Sequence, residues 1–222
     1  SAQAIETSRQ SLEKALAGDP DLASLLNRFD RWSQDLWDGA EVVYDAHTLL
    51  PQIVDAIVRI HKARSKELRH RDDQRILQPD WFQDPNAIGY VCYTDLFAGD
   101  LQGIRKRINY LKGLGVTYLH LMPLLNPRPG NSDGGYAVMD YKSVRPDLGT
   151  MKDLSELAAD LHEAGISLTL DLVLNHVAKE HEWALKARQG DKKYLDYFYA
   201  FPDRNIPDAY EKSLPEIFPT FA

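Results

Sequence analysis

A chain of 222 residues, 44% hydrophobic and 27% charged, is long enough for one large or two modest domains around a real core. Its net charge of −7 argues against general affinity for nucleic acid or an anionic membrane surface, and leaves a neutral or cationic small molecule open as ligand. Cys92 is the single cysteine, which excludes an internal disulfide framework; inside an apolar segment it reads as a small core residue rather than a reactive thiol.

The chain begins Ser1-Ala2-Gln3-Ala4, without the basic stretch and apolar run of a secretory signal. No window approaches the roughly 18 consecutive apolar residues of a bilayer span, so a soluble, cytoplasmic protein is the expectation. Up to about Asp80 the pattern is helical. Leu22, Leu25, Leu26, Phe29, Trp32 and Leu36 recur at three- and four-residue spacings, and Ile53, Val54, Ile57, Val58 and His61 do so after Pro51. Both stripes are expected in a core. Pro51 suits a first helical turn, with Thr48 as its N-cap. The basic cluster from His61 to Arg75 also holds Glu67, Asp72 and Asp73, the composition of a solvated helix face rather than an anion site. Residues 1–86 are therefore read as an all-helical domain, closed by the Pro and Asx residues of Gln78-Pro79-Asp80 and Asp84-Pro85-Asn86.

After Asn86 the pattern changes. Ala87 to Tyr93 is a short apolar run with β-branched and aromatic residues, a first strand. Leu101, Ile104, Ile108, Leu111 and Leu114 predict one helix over 101–114, stopped by Gly113 and Gly115. Val116 to Met122 is a second strand ended by Pro123. Leu154, Leu157, Ala158 and Leu161 build a second helix; Gly165 ends it and Ile166 to Leu174 is a third strand. This β-α-β-α-β order is the signature of a parallel sheet with right-handed crossovers, an α/β fold.

One connector breaks the usual economy. Leu124 to about Thr150 is a long segment rich in Pro, Gly, Asn and Asp, whereas most βα loops run roughly 2–6 residues. Long loops at the C-terminal ends of parallel strands usually carry function. Within it, Asp133-Gly134-Gly135-Tyr136 lets the backbone approach something closely and offers hydrogen bonds and a flat ring, although Asp-Gly-Gly is equally what a simple turn requires.

The third strand ends in Asp171-Leu172-Val173-Leu174-Asn175-His176. Leu168, Leu170, Leu172 and Leu174 fall on one face, leaving Thr169, Asp171, Val173 and Asn175 on the other. In a (β/α)8 barrel the leucines would face the outer helices, and Asp171 and Asn175 the axis, with Asn175 and His176 at the C-terminal rim where such folds keep their chemistry. A buried carboxylate there must have partners. Beyond His176 come a helix over Glu180 to Lys186, an aromatic stretch with Tyr194, Tyr197, Phe198, Tyr199 and Phe201, and a tail with Pro202, Pro207, Pro215 and Pro219 that reads as irregular.

These motifs resemble the α-amylase superfamily of (β/α)8 glycoside hydrolases and transglycosidases. Asp171 to His176 is similar to its third-strand motif, and Asp133-Gly134-Gly135-Tyr136, Asp140-Tyr141, Leu148-Gly149-Thr150 and Ala164-Gly165-Ile166 recur around it in the superfamily's order. Tyr93 to Asp100, Tyr118 to Leu124 and Glu180 to Ala184 resemble the amylosucrases, which also carry a helical domain before the barrel. The resemblance implies an N-terminal helical domain (1–86), the first three β/α units of a barrel (87–176) and the start of a domain inserted after the third strand (177–222), hence an incomplete barrel.

It also implies roles. His176 would hydrogen-bond a hydroxyl of the glucosyl ring at the cleavage subsite, Tyr136 would stack on that ring, and Asp133 would bind its far hydroxyls. Asn175 would hold the loop that positions His176, and Asp171 would belong to the barrel's internal polar network. His120 reads as a buried strand histidine, and Asp140 and Tyr141 as turn and packing. Sucrose would be the donor and an α-1,4-glucan the product, with a sucrose hydrolase or a non-catalytic amylase-like scaffold as alternatives. A retaining transfer needs two carboxyl groups about 5–5.5 Å apart. The superfamily takes these from later strands, so the nucleophile and acid/base are expected beyond Ala222, the rest of the barrel is the expected partner, and the chain alone is expected to be inactive. No cofactor is implied and no metal site is read; Asn175 has no second cluster of oxygen ligands near it in sequence.

Overall fold

The structure is a computed structural model and describes residues 1–214, so Pro215 and Pro219 of the expected irregular tail lie outside the described residues. It divides into a first compact unit over Ser1–Asp84 and a second that begins at Pro85. Among the described residues no helix is long and apolar enough to cross a membrane.

The first unit is four helices, α1 (Ala2–Ala15), α2 (Leu22–Glu41), α3 (Ala46–Ala63) and α4 (Lys66–Leu77). One core cluster joins Leu12, Leu26, Phe29 and Val54, and another Trp37, Ala46 and Leu50. The stripe that α2 buries is Leu26, Phe29, Ser33 and Trp37. Trp32 is 55% exposed, with Arg31 over its ring, because one residue is a 100° step and places it off that stripe. The N-cap of α3 is Asp45, whose side chain accepts from the His47 N–H, rather than Thr48; Pro51 accordingly falls inside the helix, past its first turn. Helix α4 buries no side chain and is tied down by polar contacts. Arg69 reaches Asp19 at 3.3 Å and Asp21 at 3.2 Å, and Ser24 donates to Asp73 at 2.8 Å.

The second unit is an α/β partial barrel. Strands β1 (Gly89–Cys92), β2 (Tyr118–Leu121) and β5 (Ser167–Leu170) form a parallel sheet in the order β1-β2-β5. Between β1 and β2 run α5 (Thr94–Ala98), α6 (Leu101–Lys106) and α7 (Ile108–Gly113); α8 (Met151–Glu163) precedes β5. The single helix expected over 101–114 is thus two pieces that break at Arg107. Leu119 and Leu121, at 0% exposure, meet Leu101, Ile104, Leu111, Leu157 and Leu161 of the helices in one core cluster. Thr150 and Asp153 close a reciprocal capping box at the start of α8.

The long connector is not structureless. It holds an antiparallel hairpin, β3 (Leu125–Pro127) and β4 (Val138–Val144), paired at Leu125↔Val144, Asn126↔Asp140 and Pro127↔Val138 with a register shift between each pair. The third strand is shorter than its period of two suggests. Pairing ends at Leu121↔Leu170, because Met122 is followed by Pro123, which has no N–H to extend the ladder. Leu172 and Leu174, expected under helices, are 64% and 80% exposed, since they follow the end of the ladder. Past His176 the chain makes short helices α9 (Glu182–Arg188), α10 (Lys192–Leu195) and α11 (Asn205–Glu211). The last contains Pro207, in a first turn where a missing N–H costs no hydrogen bond, so that part of the tail is not irregular. Trp183 packs on Tyr197 with ring centroids 4.7 Å apart.

Candidate functional site

The site starts from a turn. Asp133, Gly134 and Gly135 take φ values of +53°, +64° and +96°, and Asp133 is the non-glycine residue with positive φ among the described residues. Aspartate tolerates this region better than most residues, and such strain persists only where the surroundings hold it. Here the Ser132 hydroxyl accepts from the Gly135 N–H at 3.2 Å. A Cβ on Gly135 would lie 3.2 Å from the Pro123 Cβ, and one on Gly134 would lie 3.0 Å from the Tyr93 hydroxyl. The turn therefore packs against the residues that follow β1 and β2. It keeps Asp133 exposed and Tyr136 partly buried at the C-terminal ends of the parallel strands.

Asp171 follows β5, and both of its oxygens have partners. Oδ1 lies 3.1 Å from Nε2 of His120, and Oδ2 accepts from the Tyr136 hydroxyl at 3.2 Å. The Tyr136 phenol is held above its ordinary pKa, first by burial and then by the Asp171 carboxylate, so it remains a neutral donor. Tyr136 is engaged at its other end as well. Its backbone carbonyl lies 3.2 Å from Nε2 of His176, whose Nδ1 is 3.3 Å from Oδ1 of Asn175. The residues His120, Asp171, Tyr136, His176 and Asn175 thus form one continuous polar chain.

Four contacts hold the segment that bears Asn175 and His176. The Tyr141 hydroxyl lies 2.6 Å from the Val173 carbonyl oxygen and 3.1 Å from that of His176. The Ala178 N–H donates to the Val138 carbonyl at 2.8 Å, extending the hairpin. Arg128, past β3, pairs with Glu180 at 3.1 Å. Asp140 lies inside β4, paired with Asn126, rather than in the turn expected of it, and its side chain accepts from the Lys142 N–H at 2.8 Å and the Ser143 hydroxyl at 2.5 Å; these bonds, the hydroxyl's foremost, hold its carboxyl below the usual range. Burial pushes the Tyr141 phenol up and the imidazole of His181 down; the two rings meet edge to face at 5.6 Å.

The structure therefore brings Tyr136, Asp171, Asn175 and His176 together and puts Asp133 at the head of the same turn. Sequence reasoning missed the parts played by His120, Tyr141, Arg128 and Glu180. His120 had a usable signal: it alternates with Leu119 and Leu121 and so shares a face with Asp171. Tyr141 was marked by the Asp140-Tyr141 motif but not by any sign of its partners, which lie 32 and 35 residues away.

The group of potential metal ligands found among the described residues is Asp19, Asp21 and His61, in the helical unit. Arg69 already supplies the positive charge there, 3.3 Å from Asp19 and 3.2 Å from Asp21, so the donor set does not suit a cation.

Residues 76–219 match the family described as alpha amylase, catalytic domain. The chain is 36% identical over 129 residues to the oligo-1,6-glucosidase of Bacillus cereus, which covers 58% of this chain and 21% of that protein. It is 36% identical over 143 residues to alpha-amylase 3 of Dictyoglomus thermophilum, 60% of this chain and 28% of that one. Among solved structures, the trehalose-6-phosphate hydrolase of Bacillus licheniformis is 33% identical with a TM-score of 0.50, covering 57% of this chain and 23% of its own. The chain spans between 21% and 28% of the length of these two curated relatives.

Proposed function

Because the chain belongs to the alpha-amylase catalytic-domain family, we propose that it forms one wall of the glucosyl pocket of an amylosucrase-like retaining glucosyltransferase, with sucrose as donor, fructose as leaving group and α-1,4-glucan as product. The observation that carries this reading is the join between Tyr136 and His176, 3.2 Å from carbonyl to imidazole, beside the strained Asp133 turn. In this reading Tyr136 offers a flat ring, His176 an imidazole and Asp133 an exposed carboxylate to one ligand. That combination suits a glucosyl unit, whose C–H face packs on an aromatic ring while its hydroxyls need fixed polar partners.

In this reading Tyr136 stacks on the ring, Asp133 accepts from its far hydroxyls and His176 bonds a hydroxyl near the scissile bond. Each nitrogen of His176 already has a neighbour, so a sugar hydroxyl shares one of them. Asn175 and Asp171 support. Asp171, with its two oxygens held by His120 and Tyr136, is assigned to support rather than to attack. The attacking and proton-donating carboxyl groups, about 5–5.5 Å apart in retaining enzymes, would come from further strands of the barrel. The covalent glucosyl intermediate then passes to a glucan hydroxyl or to water. Hydrolysis is the second reading, favoured by the names of the relatives, an oligo-1,6-glucosidase and an alpha-amylase.

Protein expressed from the complete reading frame, incubated with sucrose and separately with isomaltose, tests these readings. Fructose released in excess over glucose, with glucan accumulating, is the expected result. Equal glucose and fructose would assign hydrolysis. Cleavage of isomaltose with sucrose untouched would overturn sucrose as donor, and binding of sugar without turnover of either would move the chain to a non-catalytic scaffold.

A further inference from the structure

We propose that His120 is a positioning residue of the glucosyl pocket, acting through Asp171 to orient the ring of Tyr136. The inference rests on the reading of Tyr136 as the sugar-stacking ring and adds a residue to it. Strand alternation sends Leu119 and Leu121 to the fully buried helix side and His120 to the opposite face. In the ladder His120 pairs with Thr169, so Asp171, two residues on, lies on that same face. His120 Nε2 is 3.1 Å from Asp171 Oδ1, and the Tyr136 hydroxyl donates to Asp171 Oδ2 at 3.2 Å.

The terminal torsion of an aspartate is broad and nearly two-fold, so a carboxylate with one partner turns easily. With both oxygens engaged, Asp171 keeps one orientation. His120 meets a carboxylate, an acceptor, and therefore presents Nε2–H to it. Tyr136 is held at two points: its main chain faces His176 at 3.2 Å, and its phenol follows Asp171. Loss of His120 frees the phenol end and leaves the main-chain end held. The result is a misoriented ring in an intact loop, which weakens sugar binding more than it slows the chemical step.

The test uses the enzyme from its complete reading frame, with sucrose kinetics for wild type, His120→Ala, His120→Gln, Tyr136→Ala and the double variant His120→Ala/Tyr136→Ala. The expected result for His120→Ala is a rise in KM of about tenfold, the size of one lost charge-assisted hydrogen bond, with a much smaller change in kcat. His120→Gln, whose amide N–H reaches the same carboxylate oxygen, recovers most of the loss. In the Tyr136→Ala background His120→Ala adds nothing. An equal KM rise in both backgrounds, or no recovery by Gln, overturns the proposal. If wild type ignores sucrose, the donor assignment above fails, and a crystal structure of His120→Ala decides the positioning role without any donor. A Tyr136 hydroxyl displaced from Asp171 supports it; an unchanged Asp171–Tyr136 bond and ring overturns it.

Discussion

The Tyr141 phenol donates to the backbone carbonyl of Val173 at 2.6 Å, and the same oxygen lies 3.1 Å from the carbonyl of His176. One hydroxyl on the hairpin thus spans both ends of the turn that presents Asn175 and His176. Tyr141→Phe keeps the ring and removes the clamp. The expected cost is about 1 kcal/mol, with faster amide exchange in residues 173–178 and unchanged exchange in β2. Exchange equal to wild type in 173–178 would show that the clamp does not hold this segment.

Arg128 and Glu180 make a second tie at 3.1 Å, with side chains only 16% and 28% exposed. Such a pair lies between the exposed and buried limits, so a double-mutant cycle with Arg128→Met and Glu180→Gln should return a coupling of about 1–3 kcal/mol in urea melts. Either single substitution leaves a half-buried group short of its partner and should cost more than the pair removed together. A coupling indistinguishable from zero would count against this tie.

Gly135 has a φ of +96° and its missing Cβ would stand 3.2 Å from Pro123, whereas Gly130 has a φ of +75° and open space around it. Gly130→Ala should therefore cost about 1 kcal/mol of backbone strain, and Gly135→Ala measurably more, because contact is added to strain. Thermal midpoints of the two variants, measured side by side, check the order. Equal shifts would mean that the turn moves away from Pro123 without penalty.

In the helical unit the Asp19 carboxyl is held below its ordinary value of 3.8, first by the Asp21 N–H and then by His61 and Arg69, against the opposing effect of burial. A carboxyl with a lower pKa folded than unfolded adds stability that is fully present above the unfolded value. That stability is lost as pH falls through the folded value, so the unit should weaken below about pH 4. Asp19→Asn removes this titration. Amide protection in α3, followed from about pH 5 to pH 3, should fall less steeply in the variant than in wild type. An identical slope would assign acid sensitivity to other carboxyls.

Much of the fold was legible because it depends on neighbours in the chain. The alternation from Ile166 to Leu170, the helical spacing of Leu154, Leu157 and Leu161, and Pro123 at the end of β2 each act within a few residues. The order of strand, helix and strand, and with it a parallel sheet, follows from such local signals, whereas the partial barrel came from the family resemblance. The type of residue at the site was legible for the same reason: Asp133, Gly134 and Gly135 can make a left-handed turn that few other triplets tolerate.

Tertiary structure decided the rest. Trp37 rather than Trp32 is buried because packing against Ala46 and Leu50 chooses the phase of the α2 stripe. Leu172 and Leu174 alternate correctly and are still exposed, since burial needs a covering layer and not a pattern. The partners of Asp171 are 51 residues away in His120 and 35 away in Tyr136. Alternation puts His120 on the face of Asp171 without naming the pair, and the Tyr136 bond leaves no periodic trace, because it depends on where the hairpin folds back over the strand ends. Local chemistry thus determined which elements form and which residues lie near the strand ends, and only the folded chain decided which of those residues hold each other in place.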